Sequence, residues 1–138
     1  YHNGNTSFGT DIDEAKKYSL ESGVDAMAIS VGNTHLQKSK IAKIDYNKIL
    51  KIQKISKLPL VLHGSSGINT VMRKKIARNT KVAKFNIGTE LRITACESLR
   101  KSYNKRKKSF DKIEIIKPSI IELKKHTKKV IKNFGPLK

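Results

Sequence analysis

Apolar residues along the chain fall into two alternating kinds of segment, short uninterrupted runs and longer stretches of helical spacing. Asp11-Ile12-Asp13-Glu14-Ala15 opens a polar amphipathic helix whose first-turn acids complement the helix dipole, and Gly23 ends it. Ala26 to Val31 (AMAISV) is nearly continuously apolar and bounded by Gly32, which predicts a strand buried on both faces, as in a parallel sheet. Asp45 begins a second helix, YNKILKIQKIS, with Ile49, Ile52 and Ile55 at helical spacing and Pro59 just past its end. Leu60 to His63 is a second strand that runs straight into Gly64-Ser65-Ser66-Gly67. Asn69 caps a third helix, TVMRKKIARN, in which Met72 and Ile76 lie one turn apart. Val82 to Ile87 is the third strand, closed by Gly88-Thr89. From Thr89 a longer helix carries Leu91, Ala95, Leu99 and Tyr103 at four-residue steps, then dissolves into the basic stretch Lys101 to Lys108. Ser102 to Lys117, charged and broken by Asp111 and Pro118, reads as a solvated linker. A last helix from Pro118 sets Ile120, Leu123, Val130 and Phe134 on one side and stops at Gly135-Pro136. Strands alternating with crossover helices predict a parallel α/β layer with right-handed connections.

Length narrows this picture. The 138 residues suit one compact unit but not a complete eight-unit (β/α) barrel, which needs about 200 to 250 residues. The single cysteine, Cys96, has no internal disulfide partner and is expected as a small core residue, and no run approaches a membrane span. A reduced, cytoplasmic setting without a membrane partner is the expectation. Tyr1 is not a Met, so a portion of a longer product is expected.

The formal charge of +19 has a location. Asp11, Asp13, Glu14, Glu21 and Asp25 outweigh Lys16 and Lys17 in residues 1–35, so the excess of positive charge lies entirely in the remainder. Such a surface suits a polyanion. Yet only five of the 30 basic residues are Arg, while 25 Lys, 17 Ile and 9 Asn make up 51 of 138 positions. Those residues have AT-rich codons, Lys lacks the guanidinium fork, and basic-aromatic interleaving is missing. Compositional drift therefore explains the charge better than a nucleic-acid partner does.

Chemistry in parallel α/β proteins collects beyond the carboxyl ends of the strands. Here those ends read Gly32-Asn33-Thr34-His35, His63-Gly64-Ser65-Ser66-Gly67 and Asn86-Ile87-Gly88-Thr89-Glu90. Two histidines beside Gly-rich turns are candidates for a shared metal. Successive N–H groups of a Gly-Ser turn leading into a helix favour phosphate, and Ser66, Asn86 and Thr89 add polar groups. His2 and His126 are expected to face solvent, and Glu90 is explained by its place in a first helical turn.

The trio GNTH (Gly32 to His35), PLVLHGSSGI (Pro59 to Ile68) and KFNIGTELR (Lys84 to Arg92) resembles the C-terminal half of the class II, zinc-dependent ketose-bisphosphate aldolases, which include fructose- and tagatose-bisphosphate aldolases. The resemblance runs from about Asp11 to Gly135. It implies one partial domain over residues 1–138, the C-terminal part of a (β/α)8 barrel of the TIM type. The β/α units and the site would occupy 10–100, with a basic linker and C-terminal helix in 101–138. It implies Zn2+ as cofactor, His35 and His63 as two of its three histidine ligands, and a phosphorylated sugar as substrate. Gly64, Ser65, Ser66, Asn86, Ile87, Gly88 and Thr89 match the segments that hold the phosphate of dihydroxyacetone phosphate, and Asn86 also matches a residue near the reacting atoms. The complete protein would be a homo-oligomer.

Two departures bear on activity. Leu36 stands where family members usually carry Gly, and no Asp-His dipeptide occurs, so the acid/base Asp and the third zinc ligand belong to an N-terminal half without counterpart here. No catalytic residue is therefore expected in this chain. Metal-dependent cleavage of fructose 1,6-bisphosphate to dihydroxyacetone phosphate and glyceraldehyde 3-phosphate is the expected activity of the whole, and the isolated chain should be inactive. The alternative is a noncatalytic aldolase-like fragment that binds nucleic acid or another polyanion.

Overall fold

Three short strands, β1 (Met27–Ile29), β2 (Leu60–Leu62) and β3 (Val82–Phe85), lie parallel in the order β1-β2-β3. Met27 pairs with Leu60 and Ile29 with Leu62, while Leu62 pairs with Phe85, so the carboxyl ends of the three strands stand level. The computed structural model describes residues 9–32 and 43–135. It divides into two compact units, Tyr1–Asn86 and Ile87–Lys138.

In the first unit α1 (Ile12–Glu21), α2 (Tyr46–Ile55) and α3 (Thr70–Asn79) precede or join the strands, each started by the residue its sequence marks. Asp11 accepts from the N–H groups of Asp13 and Glu14, Asp45 from that of Lys48, and Asn69 from that of Met72. The Glu14 amide is the main reason the Asp11 carboxyl sits below its ordinary value, with slight burial opposing and the Asp13 amide adding. Side chains alternate across the strands, and Met27, Ile29, Leu60, Leu62 and Val82 join Ile49 and Ile52 of α2, Ile76 of α3 and Ala15 of α1 in the core. β2, the central strand, is buried at all three positions. β1 departs from the both-faces expectation, because Ala28 is exposed between two buried neighbours. β1 is an edge strand, and Ala28 stands opposite Val61 of the central strand, which is buried. β3 is the other edge, with Ala83 and Lys84 exposed, and it ends at Phe85 rather than Ile87.

Beyond β1 the chain turns at Gly32, whose φ of +92° favours glycine, and a Cβ there would collide with the Lys43 carbonyl oxygen. The two described residues that flank 33–42 are thus in contact. Val31 accepts from the Asp45 N–H at 2.9 Å, and Thr10 exchanges backbone and side-chain hydrogen bonds with Ser30, so the end of β1 is held on both sides.

The second unit is a pair of packed helices, α4 (Thr89–Lys105) and α5 (Lys112–Asn133). The solvated linker expected over Ser102 to Lys117 is helical at both ends, and the connection shrinks to 106–111. Asp111 caps α5 by accepting from the Ile113 N–H, so Pro118 lies within the helix rather than at its start. The expected apolar stripe of α4 also shifts. Leu99 and Tyr103 are exposed and Ser102 is buried, because α5 approaches over small residues, with Ser119 Oγ donating to the Ala95 carbonyl at 3.2 Å. Cys96 consequently falls on an exposed face rather than in the core. His126 is half-buried instead of solvent-facing, and its Nε2 is buried with no hydrogen-bond partner among the described residues. No described helix is long and apolar enough to cross a membrane.

Candidate functional site

His63 follows β2 directly and Asn86 follows β3, and the level strand ends bring the two side chains together. Asn86 Nδ2 lies 3.1 Å from His63 Nδ1 and 3.4 Å from Nε2. The amide is within hydrogen-bonding distance of both ring nitrogens, and the tautomer of His63 sets which of them donates and which accepts. The backbone fixes the pair: Asn86 N–H donates to the Leu62 carbonyl at 2.8 Å, and the Asn86 carbonyl accepts from Ser65 N–H at 3.1 Å.

Between His63 and α3 the chain makes one tight turn. Gly64 adopts the left-handed conformation, φ 59° and ψ 25°, and a 3-10 turn, Ser65–Gly67, follows. Ser65 is fully buried, and its hydroxyl donates to the Leu62 carbonyl at 2.9 Å. Its side chain therefore serves the turn itself and is not presented to a ligand. Ser66 and Gly67 are half-buried at the carboxyl edge of the sheet.

The remaining candidates divide by location. Ile87, Gly88 and Thr89 belong to the second unit, where Gly88 precedes α4 and Thr89 begins it. Thr89 Oγ1 accepts from Arg92 Nη2 at 3.3 Å, and Glu90 occupies the first turn as its helix position suggests. His35, Leu36 and His2 lie outside the described residues. Among the described residues no group of three or more His, Cys, Asp or Glu side chains could hold a metal. His63, a half-buried imidazole at the sheet edge, fits as one ligand of such a centre and does not complete it.

One residue of this site escaped the sequence reading. Arg73 of α3 is 3% exposed, and its Nε donates to the Ser65 carbonyl at 3.2 Å and its Nη2 to the Ser66 carbonyl at 2.9 Å. It is followed directly by Lys74 and Lys75 on a largely polar helix, so its sequence context gives it the look of a solvated charge. The available signal was the i, i+3 spacing with the buried Ile76, which puts both on the inward face.

Comparisons with known proteins agree on one family. The family model for class II fructose-bisphosphate aldolase matches residues 2–137. The crystal structure of the YdjI aldolase from Escherichia coli K12 is similar to this chain with a TM-score of 0.72 and 25% identity, over 91% of this chain and 44% of that one. A candidate fructose-1,6-biphosphate aldolase from Coccidioides immitis is similar with a TM-score of 0.74 and 18% identity, over 91% of this chain and 43% of that one. The chain thus spans less than half the length of these two structures. Its three parallel strands and their helices are a portion of a (β/α)8 barrel.

Proposed function

The chain belongs to the class II fructose-bisphosphate aldolase family, and on that premise we propose that it is the part of such an enzyme that supplies two metal ligands and the phosphate end of the substrate site. His35 and His63 are the two ligands for Zn2+. Zinc, when bound, supplies Lewis-acid polarisation of the substrate ketone. The N–H groups of the Gly64 to Gly67 turn and of the Gly88-Thr89 segment receive phosphate oxygens, with Ser66 adding a hydroxyl. Asn86, fixed through two backbone hydrogen bonds, places its amide beside the metal ligand, where a hydrogen-bond donor orients the substrate oxygens. The acid/base Asp lies outside this chain.

The observation that carries this reading is the juxtaposition at one sheet edge of His63, Asn86 and a Gly-Ser turn, in a chain whose family cleaves a ketose bisphosphate. Fructose 1,6-bisphosphate, cleaved to dihydroxyacetone phosphate and glyceraldehyde 3-phosphate, is the proposed substrate of the whole enzyme, a cytoplasmic homo-oligomer. The test is a coupled assay of fructose 1,6-bisphosphate cleavage by the purified chain with excess Zn2+. No turnover is expected, because catalytic zinc takes three protein ligands and this chain offers two. Appreciable turnover overturns the proposed division of the machinery.

A further inference from the structure

Arg73 is the one charged side chain buried among the described residues, and the chemistry proposed above makes no use of it. Burying a guanidinium is costly unless its N–H groups are satisfied. Here two of them are spent on successive main-chain carbonyls, those of Ser65 and Ser66. The Ser65 carbonyl also accepts from the Ile68 N–H at 3.2 Å, so the turn has its own closing bond and the guanidinium is additional to it.

The consequence follows from the planarity of the peptide. Among the described residues no peptide bond is cis, and in a trans unit the C=O of one residue and the N–H of the next point in opposite directions. Holding the Ser65 carbonyl toward Arg73 therefore aims the Ser66 N–H away from Arg73, and holding the Ser66 carbonyl does the same for the Gly67 N–H. Both amides are directed away from α3 by a single rigid fork. A cation bonded to the carbonyl end of each peptide also polarises it, which strengthens the N–H at the other end as a donor. Lys carries a compact charge without the planar fork and engages two successive carbonyls less well.

We infer that Arg73 is a positioning residue: through the carbonyls of Ser65 and Ser66 it orients and polarises the Ser66 and Gly67 amides so that the turn accepts a phosphate oxyanion. This rests on the phosphate reading of the turn proposed above.

The experiment is a titration of the 15N-labelled chain with inorganic phosphate, following the Ser66 and Gly67 amide resonances in the wild type, Arg73→Lys and Arg73→Met, well below the melting temperature of each. In the wild type both resonances move in a saturable way. Arg73→Lys, which keeps the charge and a dispersed spectrum, weakens phosphate binding about tenfold or more and speeds hydrogen exchange at the turn, while resonances of β1 and α2 stay in place. Wild-type affinity in Arg73→Lys overturns the fork as the positioning element, and wild-type affinity in Arg73→Met overturns any role for this side chain. If the wild-type Ser66 and Gly67 amides do not respond to phosphate, the phosphate reading of the turn fails and the inference falls with it. That outcome is told apart by its appearance before any substitution is made.

Discussion

Gly64 shows how much a single position contributes to the proposed site. Its φ of 59° places it in the left-handed region, where a Cβ meets the following carbonyl. Only that backbone conformation lets the chain leave β2 at His63 and bury the Ser65 hydroxyl against Leu62 within two residues. Gly64→Ala is expected to lower stability by about 1 to 2 kcal/mol, and Gly64→Asn by less, since Asn tolerates this region. Denaturant unfolding of the two variants checks the order. The Gly and Ser types of this turn were legible as an anion-binding pattern. The separate duties of the two serines were not, because Ser65 and Ser66 are identical in sequence and differ only in which way the 3-10 turn points them.

At the scale of elements, the caps were the most legible feature and the second unit the least. Asp11, Asp45 and Asn69 each start the helix their sequence announces, because a cap is a local hydrogen bond between residues two or three apart. The same logic was available at Asp111, whose Glu114 three residues on makes the acidic first turn of α5. Pro118 outweighed it, since proline more often opens a helix than interrupts one. In α5 it is the seventh residue and has no N–H to offer the Glu114 carbonyl one turn back. Pro118→Ala is therefore expected to stabilise α5, by up to about 3 kcal/mol, the difference between the two residues in a helix interior. Thermal unfolding followed by circular dichroism reads this directly, and an unchanged or lower melting temperature contradicts it. The displaced stripe of α4 has a different cause. Periodicity favours Leu91, Ala95, Leu99 and Tyr103, but α5 packs where Ala95 and Ser102 allow close approach, leaving Tyr103 57% exposed.

For the molecule as a whole, the sheet of the described residues has two edge strands, whose Ala28 and Lys84 are exposed on either side of the buried Val61. In a (β/α)8 barrel both edges are paired, and the face away from the helices is packed with side chains. The 44% and 43% coverage of the two similar structures is in keeping with strands that a closed barrel would complete. The charge of +19 reads differently at this scale from its first impression. Arg73 is the only buried cation among the described residues, and the rest of the described basic side chains are half-buried or exposed. Such a surface attracts any polyanion through released counterions. Binding of the chain to duplex DNA is accordingly expected only at low salt, without sequence preference, and to fall steeply as salt rises. Fluorescence anisotropy across a salt series tests this; tight, sequence-selective binding at physiological salt would restore the polyanion-binding alternative.

The sequence by itself determined the order of strands and helices, the capped starts of α1, α2 and α3 and the family, because each is written in local spacing or in short motifs. It also singled out His63 and Asn86 by their places after apolar runs. Which strand is central, which serine is buried, how far α5 extends and that Arg73 faces inward were decided only by tertiary structure. Those outcomes depend on what packs against each residue, and the sheet register and helix contacts that settle it join positions far apart in the chain.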